Sequence, residues 1–320
     1  MKKSNRSGAA LRRAGGTAFG LYRFLLLAGL SVIILYPVLY SVSLAVRAAQ
    51  DLYDPLVILI PRHFTWDNLK NALVHLEYAQ AFPNSMALVL ASTLLQAASC
   101  SLVGYGLARY RFRGRGVIFA MVILTIVVPP QTVIIPNYMN FRYFDPLGLV
   151  SLWNLATGQQ AAVNLINTNW AFYLPAALGM GIRSGLIIFI FRQFFRGMPR
   201  DLEEAAYIDG CGALRGFFRI MLPNAGPAFL TGTLFSIVWY WNDYVYTSNY
   251  LSNSKTVMNQ LYRLYDHIGH IMEYEMNTSP YEGILLLQAG VLLAILPPLL
   301  LYVFLQRYFV ESIERSGIVG

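Results

Sequence analysis

Residues 198–223 read MPRDLEEAAYIDGCGALRGFFRIMLP. Asp201, Glu203, Glu204 and Asp209 place four of the chain's sixteen acids within nine residues, between two strongly apolar segments. Met198-Pro199-Arg200-Asp201 reads as a helix start. Proline suits a first turn, and Asp201 with Glu204 has the spacing of a capping box. Acids in the first turn also face the positive end of the helix dipole. The predicted helix runs over Leu202–Asp209 and stops at Gly210, a residue suited to a helix C-terminus. A second short helix is predicted over Ala213–Met221, ending before Pro223. Ala205 and Ala206 leave room for close approach of another backbone. The stretch is thus a compact helical knob in an apolar chain.

Working outward, the surroundings are those of a membrane protein. The 320 residues are 56% hydrophobic and only 12% charged, about half the charged share of a soluble domain. Crossing about 30 Å of hydrocarbon takes roughly 20 helical residues. Six apolar runs qualify: Tyr22–Val46, Asn84–Ala108, Gly116–Tyr138, Asn169–Phe195, Pro227–Val245 and Gly283–Phe309. Prolines interrupt the third (Pro129, Pro130, Pro136) and the sixth (Pro297, Pro298). Pro175 and three glycines loosen the fourth. The predicted fold class is all-α, a polytopic membrane protein of six transmembrane helices.

Six spans leave both termini on one side, and the basic residues choose it. Seventeen of the 24 Lys and Arg fall on the terminal side, and ten of the sixteen acids fall opposite. The termini and the knob are therefore expected to be cytoplasmic, in a cell membrane. Topology and anionic lipid account for the net charge of +8, and nucleic-acid binding is not expected. The first apolar run follows basic residues as in a signal peptide. At about 25 residues it exceeds the 7–15 of a signal core, so it reads as an uncleaved span. The outer segments are Arg47–Pro83, Phe141–Thr168 and Tyr246–Glu282. Within the second, Leu152–Asn167 reads either as an amphipathic insert at the interface or as a plain loop elaboration.

Catalytic motifs are missing. None of the four lysines sits in a phosphate-binding G-x-x-x-x-G-K-[ST] loop, and neither H-E-x-x-H nor G-x-S-x-G occurs. His267 and His270 are three apart, yet ordinary polar surface explains them. Cys100 and Cys211 are far apart and suggest neither a disulfide nor a metal. The spans are almost free of ionisable residues, which argues against a proton relay. Asp243, near the outer end of the fifth run, is the exception. The chain is not expected to be an enzyme, and its energy is expected from another chain.

The spacing within the knob carries a resemblance. Glu204-Ala205-Ala206, Gly210, Ile220 and Leu222-Pro223 match E-A-A-x3-G-x9-I-x-L-P at every fixed position. The stretch resembles the EAA loop of binding-protein-dependent ABC importer permeases. Agreement extends over roughly 60–310. It includes Pro61–Leu73 (PRHFTWDNLKNAL), Tyr105–Arg109 (YGLAR), Phe189–Phe195 (FIFRQFF) and Trp241-Asn242-Asp243-Tyr244. The chain is most similar to the smaller, six-span permease of the maltose-type subfamily. The Leu152–Asn167 insert and the long Tyr246–Glu282 segment depart from that pattern.

The resemblance implies a type I ABC importer permease fold for a sugar or oligosaccharide. It implies a second permease subunit in a heterodimer, two cytoplasmic ATPase subunits that bind the ATP and Mg, and an external solute-binding protein. No cofactor is implied in this chain. The EAA segment becomes the coupling helix. Glu204 is its polar anchor to the ATPase, assisted by Glu203, and Asp209 belongs to the same coupling segment. Ala205 and Ala206 permit the close seat, Gly210 gives the turn, and Ile220, Leu222 and Pro223 tie the knob to the fifth span. The implied organisation is a basic tail (1–21), a first span with its outer loop (22–82), a permease core (83–310) holding the coupling loop 198–226, and a C-terminal tail (311–320).

For the solute pathway the chemistry points to polar groups within the spans. Gln131 follows the Pro129-Pro130 break, which frees backbone groups. Asn242 and Asp243, beside Trp239 and Trp241, combine polar groups with aromatic faces suited to sugar rings. An interfacial aromatic belt accounts for the same residues. Two alternatives stay open: a permease for another polar organic solute such as a glycerophosphate compound, and an ion-coupled secondary carrier.

Overall fold

The computed structural model describes residues 4–158, 160–208 and 210–317, without the side chains of 4–18, 205–206 and 308–317. The described residues are helical apart from connecting loops and two isolated extended pairings, Arg47 with Phe64 and Phe144 with Val163. The helices are α1 (Ser4–Ala45), α2 (Asp67–His75), α3 (Tyr78–Arg109), α4 (Arg115–Val127), α5 (Ile134–Arg142), α6 (Leu149–Thr157), α7 (Trp170–Ala177) and α8 (Ser184–Gly197). They continue with α9 (Asp201–Ile208), α10 (Ala213–Gly216), α11 (Leu222–Asn224), α12 (Gly226–Trp241), α13 (Val245–Tyr250), α14 (Val257–His270) and α15 (Gly283–Gly317). The chain forms two compact units. One comprises residues up to 74 with 265–293, and the other comprises 75–264 with the remainder from 294.

Among the described residues, three stretches are unbroken and apolar enough to cross a membrane: Phe19–Ala45, Tyr78–Arg109 and Pro280–Arg307. The other apolar runs differ from the straight spans expected of them. The third is two helices, α4 and α5, with a bend of 106° at the Pro129-Pro130 break. Val128 and Pro129 are extended there, because a residue before proline is driven out of the helical region and proline cannot donate to a helix ladder. The fourth run is α7 and α8, separated by 178–183. The fifth is α12 alone, and its 16 residues reach only about 24 Å. Ala213–Asn224 precedes it at a bend of 79°.

In the unit containing residues 75–264, α3 is the central element, with α7, α8 and α12 packed around it. Two features make this packing possible. First, Gly104 lets the backbones of α3 and α8 touch. A Cβ at Gly104 would stand 2.6 Å from the Phe191 Cβ and 3.0 Å from the Arg192 backbone nitrogen, closer than real atoms pack. Second, polar side chains of α3 and α12 serve the α7–α8 break. Gln96 Nε2 donates to the Ile182 carbonyl at 2.8 Å, and Ser99 Oγ donates to the Ala176 carbonyl at 2.6 Å. The Ile182 N–H donates to Tyr240 Oη at 3.3 Å. Irregular backbone at membrane depth is tolerated only where protein supplies such partners.

Two apolar clusters complete this unit. Phe191, Phe195, Phe217 and Met221 centre one of them. Leu88, Phe172, Tyr250 and Trp241 lie in the other. Trp241 Nε1 also donates to the Ala294 carbonyl at 2.9 Å, which pins α12 to α15. α15 stays helical through Pro297 and Pro298.

In the other unit, none of the most apolar stretch of α1 is buried, but Ser43, Leu44 and Ala45 at its end are. The chain then folds around two buried charged groups. Arg47 donates to the Ile58 carbonyl at 2.9 Å and to Ser43 Oγ at 2.8 Å. Asp51, 2% exposed, accepts the backbone N–H groups of Arg62 and His63 at 2.7 and 2.8 Å and the His63 ring at 2.6 Å.

The insert expected over Leu152–Asn167 is helical only as far as Thr157, within α6. Gly158 follows with φ +68°, closing the helix in the left-handed conformation. The Tyr246–Glu282 segment is mainly α13 and α14, with a wider π-helical turn over Ile271–Glu275.

Two outcomes are expected. Gly104→Ala should destabilise the protein by about 1–3 kcal/mol, the usual penalty of overpacking. Gly106→Ala meets nothing within 4 Å and should be neutral to stabilising by up to about 1 kcal/mol, because alanine is the better helix former; thermal unfolding of the purified protein compares them. For the outer loop, the His63 ring hydrogen bond chiefly, then the backbone bonds, hold the Asp51 carboxyl below its ordinary 3.8. A depressed acid contributes stability above its unfolded pKa and loses it as pH falls through the folded one. Protease resistance of 46–66 should therefore persist down to about 3.8 and fall away below it, whereas Asp51→Asn should lose it at neutral pH.

Candidate coupling site

The knob is built from α9, α10, a π-helical turn over Phe217–Met221 and α11. α9 begins at Asp201, one residue earlier than expected, and the capping box is not formed. The Glu204 N–H that would meet the Asp201 side chain instead donates to the Arg200 carbonyl at 3.0 Å. That places Asp201 inside the first turn, where its charge still suits the dipole. Asp209 lies outside the described residues. Gly210 has φ +75°, and its N–H reaches the Tyr207 carbonyl at 3.1 Å. A Cβ there would meet nothing within 4 Å, so glycine is needed for its backbone angle and not for space.

The second helix does not stop before Pro223. The Leu222 N–H bonds to the Phe217 carbonyl, one residue further back than in an α-helix. This wider turn admits the proline ring, and the helix continues to Asn224. Phe217 and Met221 are buried, Ile220 and Leu222 are half-buried, and Pro223 is exposed.

The two neighbouring glutamates have different surroundings. Glu203 points inward, with its side chain 13% exposed. Tyr105 Oη donates to Glu203 Oε1. Arg109 Nε stands 3.5 Å from Oε2, an ion-pair contact without hydrogen-bond alignment. Arg109, itself 6% exposed, donates through Nη2 to the Met198 carbonyl at 2.8 Å. Tyr105 is held by rings, at 5.0 Å from Phe217 and 5.5 Å from Phe195. Nearby, the Tyr207 hydroxyl is pushed up to about 12, chiefly by its hydrogen bond to Tyr110 and then by burial. It therefore stays neutral.

Glu204 faces outward and is exposed. The same region presents exposed apolar side chains at Leu202, Ile208, Leu214 and Phe218, with Ile208 86% exposed. Ala205 and Ala206 lie in α9, and their side chains are not described. Sequence reasoning missed that Glu203 is bound within its own chain. Tyr105 and Arg109 were visible in YGLAR, but nothing local links residues about a hundred positions apart.

The residues proposed for a pathway are placed less uniformly. Trp241 is buried in the core and bonded to Ala294. Asp243 accepts the N–H groups of Tyr246 and Thr247 at 3.2 and 2.8 Å, and so caps α13. Trp239 stacks on Phe235 at 5.4 Å, with Arg183 5.2 Å from its ring. Asn242 is exposed and donates to the Val238 carbonyl of its own helix. Gln131 is exposed in the turn between α4 and α5.

Comparison with known proteins agrees with this architecture. Protein LplC of Bacillus subtilis (strain 168) is 27% identical over 311 residues, covering 95% of this chain and 96% of that protein. The arabinooligosaccharides transport system permease protein AraQ of the same organism is 30% identical over 244 residues, 76% of this chain and 74% of AraQ. Among solved structures, a chain of a bacterial ABC transporter involved in the import of the acidic polysaccharide alginate superposes with TM-score 0.70. It covers 92% of this chain and 98% of that chain at 20% identity. The fold is therefore that of an ABC importer permease. Residues 100–315 match the model of the binding-protein-dependent transport system inner membrane component, and the chain belongs to that family.

Proposed function

We propose that this chain is a permease subunit of an ATP-driven, binding-protein-dependent importer of a sugar or oligosaccharide, and that α9 is its coupling helix. The observation that carries the reading is the inward clasp of Glu203 by Tyr105 and Arg109. It attaches α9 to the end of α3, around which α7, α8 and α12 pack. Glu204 and Ile208 are left facing outward. A knob fastened in this way transmits a push to a packed bundle as a rigid body. A loosely tethered loop would absorb it.

In this reading Glu204 pairs with a basic residue of the ATPase, and Leu202, Ile208 and Leu214 fill an apolar cleft. The chain works with a second permease subunit in a heterodimer, two ATPase subunits that hold the ATP and Mg, and an external solute-binding protein. The knob and both termini are cytoplasmic, since that side carries seventeen of the 24 basic residues. A carbohydrate substrate is supported by the similarity to AraQ, whose name assigns it arabinooligosaccharides. Trp239 and Asn242 supply an aromatic face and an amide near the end of α12.

The glutamates should separate experimentally. Glu204→Ala should abolish ATP-driven uptake and ATPase co-purification while leaving thermal stability unchanged. Glu203→Ala should lower stability by on the order of 3 kcal/mol, because it leaves the Arg109 charge buried without its partner. Uptake that survives Glu204→Arg combined with Gly210→Leu would refute the coupling role. For the substrate, membranes carrying the complete transporter should accumulate oligosaccharides and not glycerophosphates when offered both.

A further inference from the structure

Beside the coupling loop, the ends of α3, α4 and α8 enclose a concave pocket of 220 Å³. Its lining is Ala108 with six arginines: Arg109, Arg111, Arg115, Arg192, Arg196 and Arg200. The lining holds no carboxylate. Among these side chains Arg109 is offset by Glu203, and Arg115 Nη1 donates to the Tyr110 carbonyl at 3.1 Å. Arg192 lies with its guanidinium carbon 3.6 Å from the Phe119 ring centroid, and its buried Nε has no hydrogen-bond partner.

Basic residues scattered on one side of a membrane protein record its topology. Convergence into one concavity is different, because the charges repel one another at short range. It costs free energy unless an anion occupies the space. Guanidinium forks match phosphate oxygens in geometry and charge. The surroundings identify the kind of phosphate. Arg115 is the first residue of α4, and the helix continues from it with exposed Val117, Ile118 and Met121. An acyl chain lying on that surface has its headgroup at the arginines. Basic pockets between transmembrane helices are suited to anionic headgroups.

We propose that this pocket binds the headgroup phosphate of an anionic phospholipid, with the acyl chains along α4. Arg192 is held over Phe119 at the inner wall, and Arg115, Arg196 and Arg200 close around the phosphate. The lipid neutralises the pocket next to Glu203 and so supports the seat of α9.

The test uses the full-length chain with its co-purifying subunits, delipidated and titrated with short-chain phosphatidylglycerol, short-chain phosphatidylcholine or inorganic phosphate. Native mass spectrometry counts bound lipid, and thermal shift follows all three. Phosphatidylglycerol should bind saturably and raise Tm, and phosphatidylcholine should not. Replacing Arg115, Arg196 and Arg200 together by glutamine should weaken phosphatidylglycerol binding by at least about tenfold. Arg196→Gln alone, at an exposed position, should weaken it about threefold, which keeps the test available if the triple variant does not fold. Arg113→Gln, outside the pocket, should have no effect. Unchanged phosphatidylglycerol binding in the triple variant overturns the proposal, as does equal weakening by Arg113→Gln. Inorganic phosphate binding as tightly as the lipid makes this a free-anion site and overturns the lipid assignment. Loss of the ATPase subunits with lipid binding intact shows that the arginines face protein, and also overturns it.

Discussion

The backbone contact between Gly104 of α3 and Phe191–Arg192 of α8 is the constraint on which the other features depend. It sets the distance between two helices at the end nearest the knob. Tyr105 and Arg109, within the next turn and a half of α3, then reach Glu203 on α9. Arg192, on the other side of the contact, is brought over Phe119. A larger residue at 104 would push α8 away and open both arrangements together. Between lipid-facing helices there is little hydrophobic force to restore such a gap, since lipid tails are as apolar as the side chains they replace. Close packing and buried hydrogen bonds carry the association instead.

The same physics explains the buried polar residues of the bundle. The α7–α8 break leaves backbone groups that no helix satisfies. Gln96, Ser99 and Tyr240 meet them. These side chains are engaged by backbone groups of their own chain. Asp243 has a similar engagement: its chemistry suggested a solute contact, and its carboxylate also accepts the backbone N–H groups that open α13. A polar residue inside an apolar chain has two uses, and the backbone geometry around it separates them.

The knob shows how a short motif divides its work. Its first glutamate is bound inward to two residues of α3, and the second remains outward. Gly210 closes α9 through its left-handed backbone. The π-helical turn at Phe217–Met221 carries two buried side chains, Phe217 and Met221, into the core while letting the helix pass Pro223. One end of the loop is thus fastened to α3 and the other to the packed end of α8. Between them Glu204 and Ile208 are exposed.

Read without its structure, the sequence already determined the helical class, the apolar runs, the knob and the glycine at its turn. Those follow from composition and local backbone preference, which act over a few residues. It also marked Pro129-Pro130 as a break, because proline's effect is local. Tertiary structure alone decided that the third run bends by 106° and that Trp241 belongs to the core. It alone turned Glu203 inward and Glu204 outward, and it alone gathered arginines from 109–115 and 192–200 into one pocket. In sequence Glu203 and Glu204 are equivalent neighbours. Only the approach of α3, set by a glycine about a hundred residues away, gives them different surroundings.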